Sequence, residues 1–318
     1  MRDYSRRQRA QGKTIGFVPT MGFLHEGHLS LIARARATCD VVVVSIYVNP
    51  TQFSANEDFG DYPRAVEADL AKISTAGGDA VFTPKSLYAG DEAGDDSKRV
   101  IGAPRGDAAA TRGGGSASSS SAAHSTWVTV EGPSSGLCGA SRPHFFRGVA
   151  TVVTKLFNIV DPDRAFFGKK DYQQWRVLQR LARDLSFGIE VVGVDTARAE
   201  DGLALSSRNA LLTPEDRARA PAIRRALLAA KTAAEAAIAA GGEAADTADA
   251  LSADAICGAV SEAISKAGGK IDYVRVVNAH TMEPIERIEA GRLALLATAA
   301  AFGAVRLIDN IEIGEQQS

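Results

Sequence analysis

The sequence predicts an α/β protein: a doubly wound parallel sheet followed by a smaller α+β unit. Three observations carry that prediction. Strand-like and helix-like segments alternate through the first two thirds of the chain. One of the strands, Val41 to Val48 (VVVVSIYV), is apolar at nearly every position, as in strands covered on both faces of a parallel sheet. Near Thr213 the composition changes to an alanine-rich helical region that ends in three further strand-like segments.

The opening residues, MRDYSRRQRAQGKTIGF, read as a basic amphipathic lead-in helix that runs into an apolar strand without a signal-type apolar core. Thr14 to Val18 is the first strand, broken by Pro19 and Gly22. His28 to Ala37 follows as a helix with Leu29, Ile32 and Ala33 at helical spacing, and Val41 to Val48 completes a βαβ unit. The alternation continues with a helix at Pro63 to Ser74 and a strand at Asp79 to Thr83. Next come a helix at Phe145 to Val160, with Val149, Val152, Val153 and Leu156 on one face, and a strand at Arg164 to Phe167. A helix at Asp171 to Leu185 and a strand at Ile189 to Val194 complete a Rossmann-like series. Thr213 to Asp216 (TPED) has the shape of a capping box with Pro214 at the first helical position. Helical spacing then runs to about Ala267, interrupted at Gly241 and Gly242, and strands follow at Ile271 to Val277, Leu293 to Ala299 and Ala304 to Ile308.

At 318 residues the chain exceeds the usual size of a single core, so two domains are expected, residues 1–195 and 196–318. Residues 90–125 are a low-complexity insertion with too few apolar side chains to offset ordering entropy, and His124 reads there as solvated. The 36 basic and 38 acidic side chains nearly balance, which removes any built-in attraction to nucleic acid or an anionic membrane. Cys39, Cys138 and Cys257 are scattered, with no C-x-x-C pair, so a reducing compartment and a cytoplasmic protein are expected.

The chemistry concentrates in PTMGFLHEGHLSLI, Pro19 to Ile32, which follows a strand and opens a helix. Free N–H groups and the positive dipole end at such a terminus suit phosphate. Gly22 and Gly27 permit close backbone approach, and His25 and His28 stand one turn apart. A zinc pair is a second reading, but HEGH lacks the spacing of H-E-x-x-H and a third ligand. Two unrelated surface histidines are a third; the strand–glycine–helix context favours the phosphate site. FGKKDYQQ, Phe167 to Gln174, lies at another strand end, where a lysine at a helix start is best explained by a bound anion.

PTMGFLHEGH resembles the opening motif of the pantothenate synthetases, within the HxGH nucleotidyltransferase superfamily. VSIYVNPTQF (Val44 to Phe53), SRPHFFRGVATVVTKLFNIVDPDRAFFGKKDYQQ (Ser141 to Gln174), DGLALSSRN (Asp201 to Asn209) and VRLIDNIEI (Val305 to Ile313) resemble the same family in the same order. Phe145 stands where many members have histidine, as in the plant and algal variants, and His144 is not assigned a catalytic part. The resemblance implies ATP-dependent condensation of pantoate with β-alanine through an acyl-adenylate. It also implies catalytic roles for His25, His28, Lys170, Ser206, Ser207 and Arg208. ATP contacts would add Pro19, Thr20, Met21, Gly22, Phe167, Gly168, Lys169, Asp171, Ala197 and Leu205. Met21, Gln52, Tyr62, Arg142 and Gln174 would hold pantoate or β-alanine, Asp69 would lie near a magnesium ion, and the protein would be a homodimer.

Overall fold

A computed structural model describes residues 1–53, 59–60, 62–88, 124–241 and 250–314. Most of the predicted insertion, residues 90–123, lies outside the described residues, as does Gly242.

After a first helix, α1 (Arg2–Arg9), the chain alternates β1 (Ile15–Thr20), α2 (Glu26–Arg36), β2 (Val41–Ile46), α3 (Val66–Thr75) and β3 (Ala80–Phe82). The short α4 (Leu137–Ser141) leads to α5 (Phe145–Val160), β4 (Arg164–Gly168), α6 (Tyr172–Asp184) and β5 (Glu190–Val194). The five strands are parallel in the order β3-β2-β1-β4-β5, with Val18 beside Val44 and Phe17 beside Ala165. The run of valines in β2 follows from this topology. Val41 and Val43 face a core shared with Phe17, Val153 and Leu178, while Val42 and Val44 face a second core with Ile32 and Ile73. A strand between two helical layers has no solvent face, so the alternation of an exposed strand disappears.

Thr213 caps α7 (Pro214–Arg219) by accepting from the Asp216 N–H at 3.1 Å. Helices α8 (Ala222–Ala239) and α9 (Ala253–Lys266) pack on a separate antiparallel sheet of β6 (Lys270–Asn278), β7 (Ala294–Phe302) and β8 (Val305–Ile313). Ile223, Leu227, Ile264, Phe302 and Ile313 form its core. β8 extends five residues beyond its predicted end at Ile308, because Asp309 and Asn310 are buried and paired rather than solvated. His124 also departs from expectation: its ring packs edge-on against Tyr88 at 4.9 Å and Trp127 at 5.1 Å. Among the described residues no helix is long and apolar enough to cross a membrane.

Candidate active site

The carboxyl ends of β1, β2, β4 and β5 open onto a cavity of about 630 Å³. Pro19, Thr20 and Met21 come from the end of β1, Asn49 and Gln52 follow β2, Phe167 and Gly168 end β4, and Ala197 follows β5. Ligands in open parallel sheets bind at this edge. Leu205 to Asn209 and Ala304 to Asp309, on and before β8, also line it.

The two histidines are fixed by their own backbone. His25 is the N-cap of α2, and its Nδ1 accepts from the Gly27 N–H at 3.1 Å. The His25 N–H donates in turn to Nδ1 of His28 at 3.3 Å, and the ring centroids are 4.2 Å apart. Nδ1 is therefore an acceptor in both rings, which leaves the proton of each neutral imidazole on Nε2. Burial, then the Lys170 and Lys72 ammonium groups, lowers the His25 pKa to about 4. Burial, then His25, Lys170 and Lys72, lowers that of His28 to about 3. At neutral pH both rings are uncharged donors through Nε2. A Cβ at Gly27 would lie 2.8 Å from Cε1 of His25, so the ring keeps this place only beside glycine.

Lys170 belongs to a 3₁₀ turn, Lys169–Asp171, between β4 and α6. Its side chain is 19% exposed, lines the cavity and stands 3.6 Å from the Asp171 carboxylate. Ser206 accepts from the Arg208 N–H at 3.3 Å and starts the turn Ser207–Leu211. The loop before it is a small hairpin in which the Leu205 N–H donates to the Ala197 carbonyl at 2.9 Å. Ser206, Ser207 and Arg208 line the same cavity as Lys170 and the histidines.

Gln52 is held in a network. Its Oε1 accepts from Asn49 at 3.0 Å, its Nε2 donates to the Met21 sulfur at 2.9 Å, and its carbonyl accepts from Arg142 at 3.0 Å. Asn49 is 1% exposed and is itself oriented by Tyr88 and Thr51, each 2.9 Å from its Oδ1. The Arg142 guanidinium lies 4.0 Å from the centre of the Phe145 ring, and Tyr62 packs edge-on against Phe53. Gln174 and Tyr62 complete this end of the lining; His144 stays outside it.

Comparison with known proteins gives the family. The family model for pantoate-beta-alanine ligase matches residues 1–312. The chain belongs to the pantoate–β-alanine ligase family. It is 51% identical to the pantoate–β-alanine ligase of Arabidopsis thaliana, over 98% of this chain and 95% of that one. The crystal structure of pantothenate synthetase from Thermus thermophilus is similar over 98% of both chains, with TM-score 0.75 and 40% identity. The pantoate–β-alanine ligase from Francisella tularensis, solved in complex with beta-gamma ATP and β-alanine, is similar with TM-score 0.66 and 28% identity. That similarity covers 97% of this chain and 94% of the Francisella chain.

Three of the expected site residues, Lys169, Gly22 and Asp69, do not line the cavity itself. Lys169, expected at ATP, is outside the cavity lining: its Nζ lies 3.3 Å from Glu312 and 3.4 Å from Asp195, which does line it. Gly22 serves the loop rather than the lining; its φ is +85°, and a Cβ would crowd Asp69 and Ile46 at 3.1 Å. Asp69, expected beside a metal, is 1% exposed, and its two oxygens accept from the Phe23 and Leu24 N–H groups at 2.8 and 2.7 Å. Lys72, one turn along α3, donates to the Leu24 carbonyl at 2.6 Å. Asp69 and Lys72 therefore clamp the loop that delivers His25. Sequence reasoning missed Lys72, and only an i, i+3 acid–base pair on α3 hinted at it.

Proposed function

We propose that this cavity condenses (R)-pantoate with β-alanine in two steps, using ATP and passing through pantoyl adenylate. Family membership over residues 1–312 makes the chain a pantoate–β-alanine ligase. The Francisella relative, complexed with beta-gamma ATP and β-alanine, supports ATP and β-alanine as substrates. In the first step a pantoate carboxylate oxygen attacks the α-phosphorus, the bond to the β-phosphate breaks, and diphosphate leaves. In the second the β-alanine nitrogen attacks the acyl carbon and loses a proton as the acyl–oxygen bond breaks and AMP departs.

The observation that carries this reading is the pair of tautomer-locked, uncharged histidines beside Lys170. Preorganised donors aimed at developing phosphate charge cost no reorganisation during reaction. His25 and His28 donate Nε2–H to phosphate oxygens, and the Lys170 ammonium reaches the α-phosphate. Ser206, Ser207 and Arg208 hold the leaving diphosphate. Pro19, Thr20, Met21, Phe167, Gly168, Asp171, Ala197 and Leu205 cradle the nucleotide. Gln52 and Gln174 orient pantoate, with Met21, Tyr62 and Arg142 around it. Magnesium, bound with ATP, would neutralise phosphate charge; Asp69, 1% exposed and accepting from the Phe23 and Leu24 N–H groups, is committed to the loop rather than to the metal. Residues 196–318 act as a lid on residues 1–195. A cytoplasmic location, supported by three free cysteines, and a homodimer complete the proposal.

The test adds substrates separately. Diphosphate is expected with ATP and pantoate alone, and pantothenate only after β-alanine is added. Lys170→Ala, folded normally, is expected to release diphosphate about 10²–10³ times more slowly. A wild-type rate from that variant overturns the role of Lys170.

A further inference from the structure

The turn that carries Lys170 is held by a strand of the other sheet. Asn310, on β8, is 9% exposed, and its Nδ2 donates at 2.9 Å to the carbonyls of both Lys169 and Lys170. The orientation of the amide follows from chemistry, because its oxygen in that place would face two carbonyl oxygens. Both carbonyls belong to a 3₁₀ turn at a helix start.

The neighbours of Asn310 make it a firm support. Asp309 receives both arms of the Arg198 guanidinium at 2.7 and 2.9 Å and accepts from the Asn310 N–H at 2.8 Å. Glu312 takes the Tyr172 hydroxyl at 2.8 Å and the Lys169 ammonium at 3.3 Å, and its carbonyl accepts from Lys231 at 2.9 Å. Lys169 is thus drawn to β8, while Lys170 points into the cavity toward the histidines, whose pKa values it helps to lower.

We infer that Asn310 is a positioning residue for Lys170: by holding the carbonyls of the 3₁₀ turn, the C-terminal sheet sets where that ammonium reaches. The inference rests on the proposed role of Lys170 at the α-phosphate. Displacing a catalytic group by about 1 Å lowers rates by as much as ~10²-fold, so loss of Asn310 is expected to slow adenylation roughly 10- to 100-fold.

The experiment measures single-turnover diphosphate release with ATP and pantoate, per folded enzyme, for Asn310→Ala, Asn310→Asp, Lys170→Ala and the double variant Lys170→Ala/Asn310→Asp. Aspartate keeps the size of asparagine but has no N–H to donate, so it rescues a packing role and not this one. Should Asn310→Ala fail to fold, the near-isosteric aspartate variant carries the comparison. Both single Asn310 variants are expected to be slow. In the Lys170→Ala background the second substitution is expected to cost less than about 3-fold, since residues acting through one group are not additive. A wild-type rate for Asn310→Asp, or its full loss repeated on top of Lys170→Ala, overturns the inference. A slow Lys170→Ala beside an unaffected Asn310→Asp overturns it alone, whereas a fast Lys170→Ala removes the role of Lys170 as well.

Discussion

Replacing Asp69 with asparagine removes one of the two acceptors that hold the loop in front of His25. The carboxylate takes the Phe23 and Leu24 N–H groups at 2.8 and 2.7 Å from a site that is 1% exposed. It stabilises a loop in which Gly22 and Phe23 have φ of +85° and +52°. Asparagine keeps one oxygen and sets an NH₂ group against the other backbone N–H. A hydrogen bond to a charged group contributes about 1.5–3 kcal/mol, and a buried N–H left unpaired costs about 1–3 kcal/mol. Removing the buried charge relieves part of its desolvation penalty, so a net loss of about 2 kcal/mol is expected. At roughly 2–4 °C per kcal/mol for domains of about 150–250 residues, the Tm falls by about 4–8 °C. His25 also loses its fixed entry into α2, and adenylation slows by as much as ~10²-fold. Thermal melting and diphosphate release at several magnesium concentrations check both effects. An unchanged Tm, with only a higher magnesium requirement, would refute the clamp and restore Asp69 as a metal ligand.

Two further predictions follow from the histidine pair. Gly27→Ala would set a methyl group against the His25 ring. It is expected to slow adenylation by about 10-fold or more as the ring leaves its cap, with a stability loss of only about 1 kcal/mol, near the usual worth of an N-cap; an unchanged rate rejects the tautomer lock. Protonation gives the second. The folded pKa values, about 4 and about 3, lie below the ordinary 6.5. Between pH 6.5 and 4 the unfolded chain binds protons that the folded chain does not, so stability rises with pH across that window and falls on acidification. The Tm is expected to decline from pH 6.5 to 4, and the NMR resonances of both rings to show no titration near pH 6.5. A ring titrating near 6.5 would contradict the neutral-donor assignment.

Helix Phe145–Val160 is legible to the residue, because its apolar face, Val149, Val152, Val153 and Leu156, has a helical period and packs against the sheet as that period requires. The two-faced burial of β2 is legible for the same reason: a run of valines has one good home in an α/β fold. The cavity edge is legible too, since strand ends, glycines and helix starts recur there. What local pattern does not carry is direction. Lys169 and Lys170 are neighbours of one type, and it is Lys169 that pairs with Asp195 and with Glu312, 143 residues on. Asp69, expected near a magnesium ion, is seen to hold the loop only once α3 is packed against Phe23 and Leu24.

The end of β8 shows why such gaps gather near the reacting groups. A reading by hydrophobicity stops the strand at Ile308, because Asp309 and Asn310 interrupt the apolar pattern. Yet both are buried, at 4% and 9% exposure, and each presents its polar atoms to a specific partner: Arg198 before the serine loop, and the carbonyls of the Lys169–Lys170 turn. A buried polar residue costs free energy unless it is fully paired, so its presence in a strand marks a place where another element must meet it in one register. Here that element carries the lysine of the phosphate site. The two residues that break the local rule are therefore the ones that join the C-terminal sheet to the chemistry, as expected where sequence-level consistency gives way at a functional site.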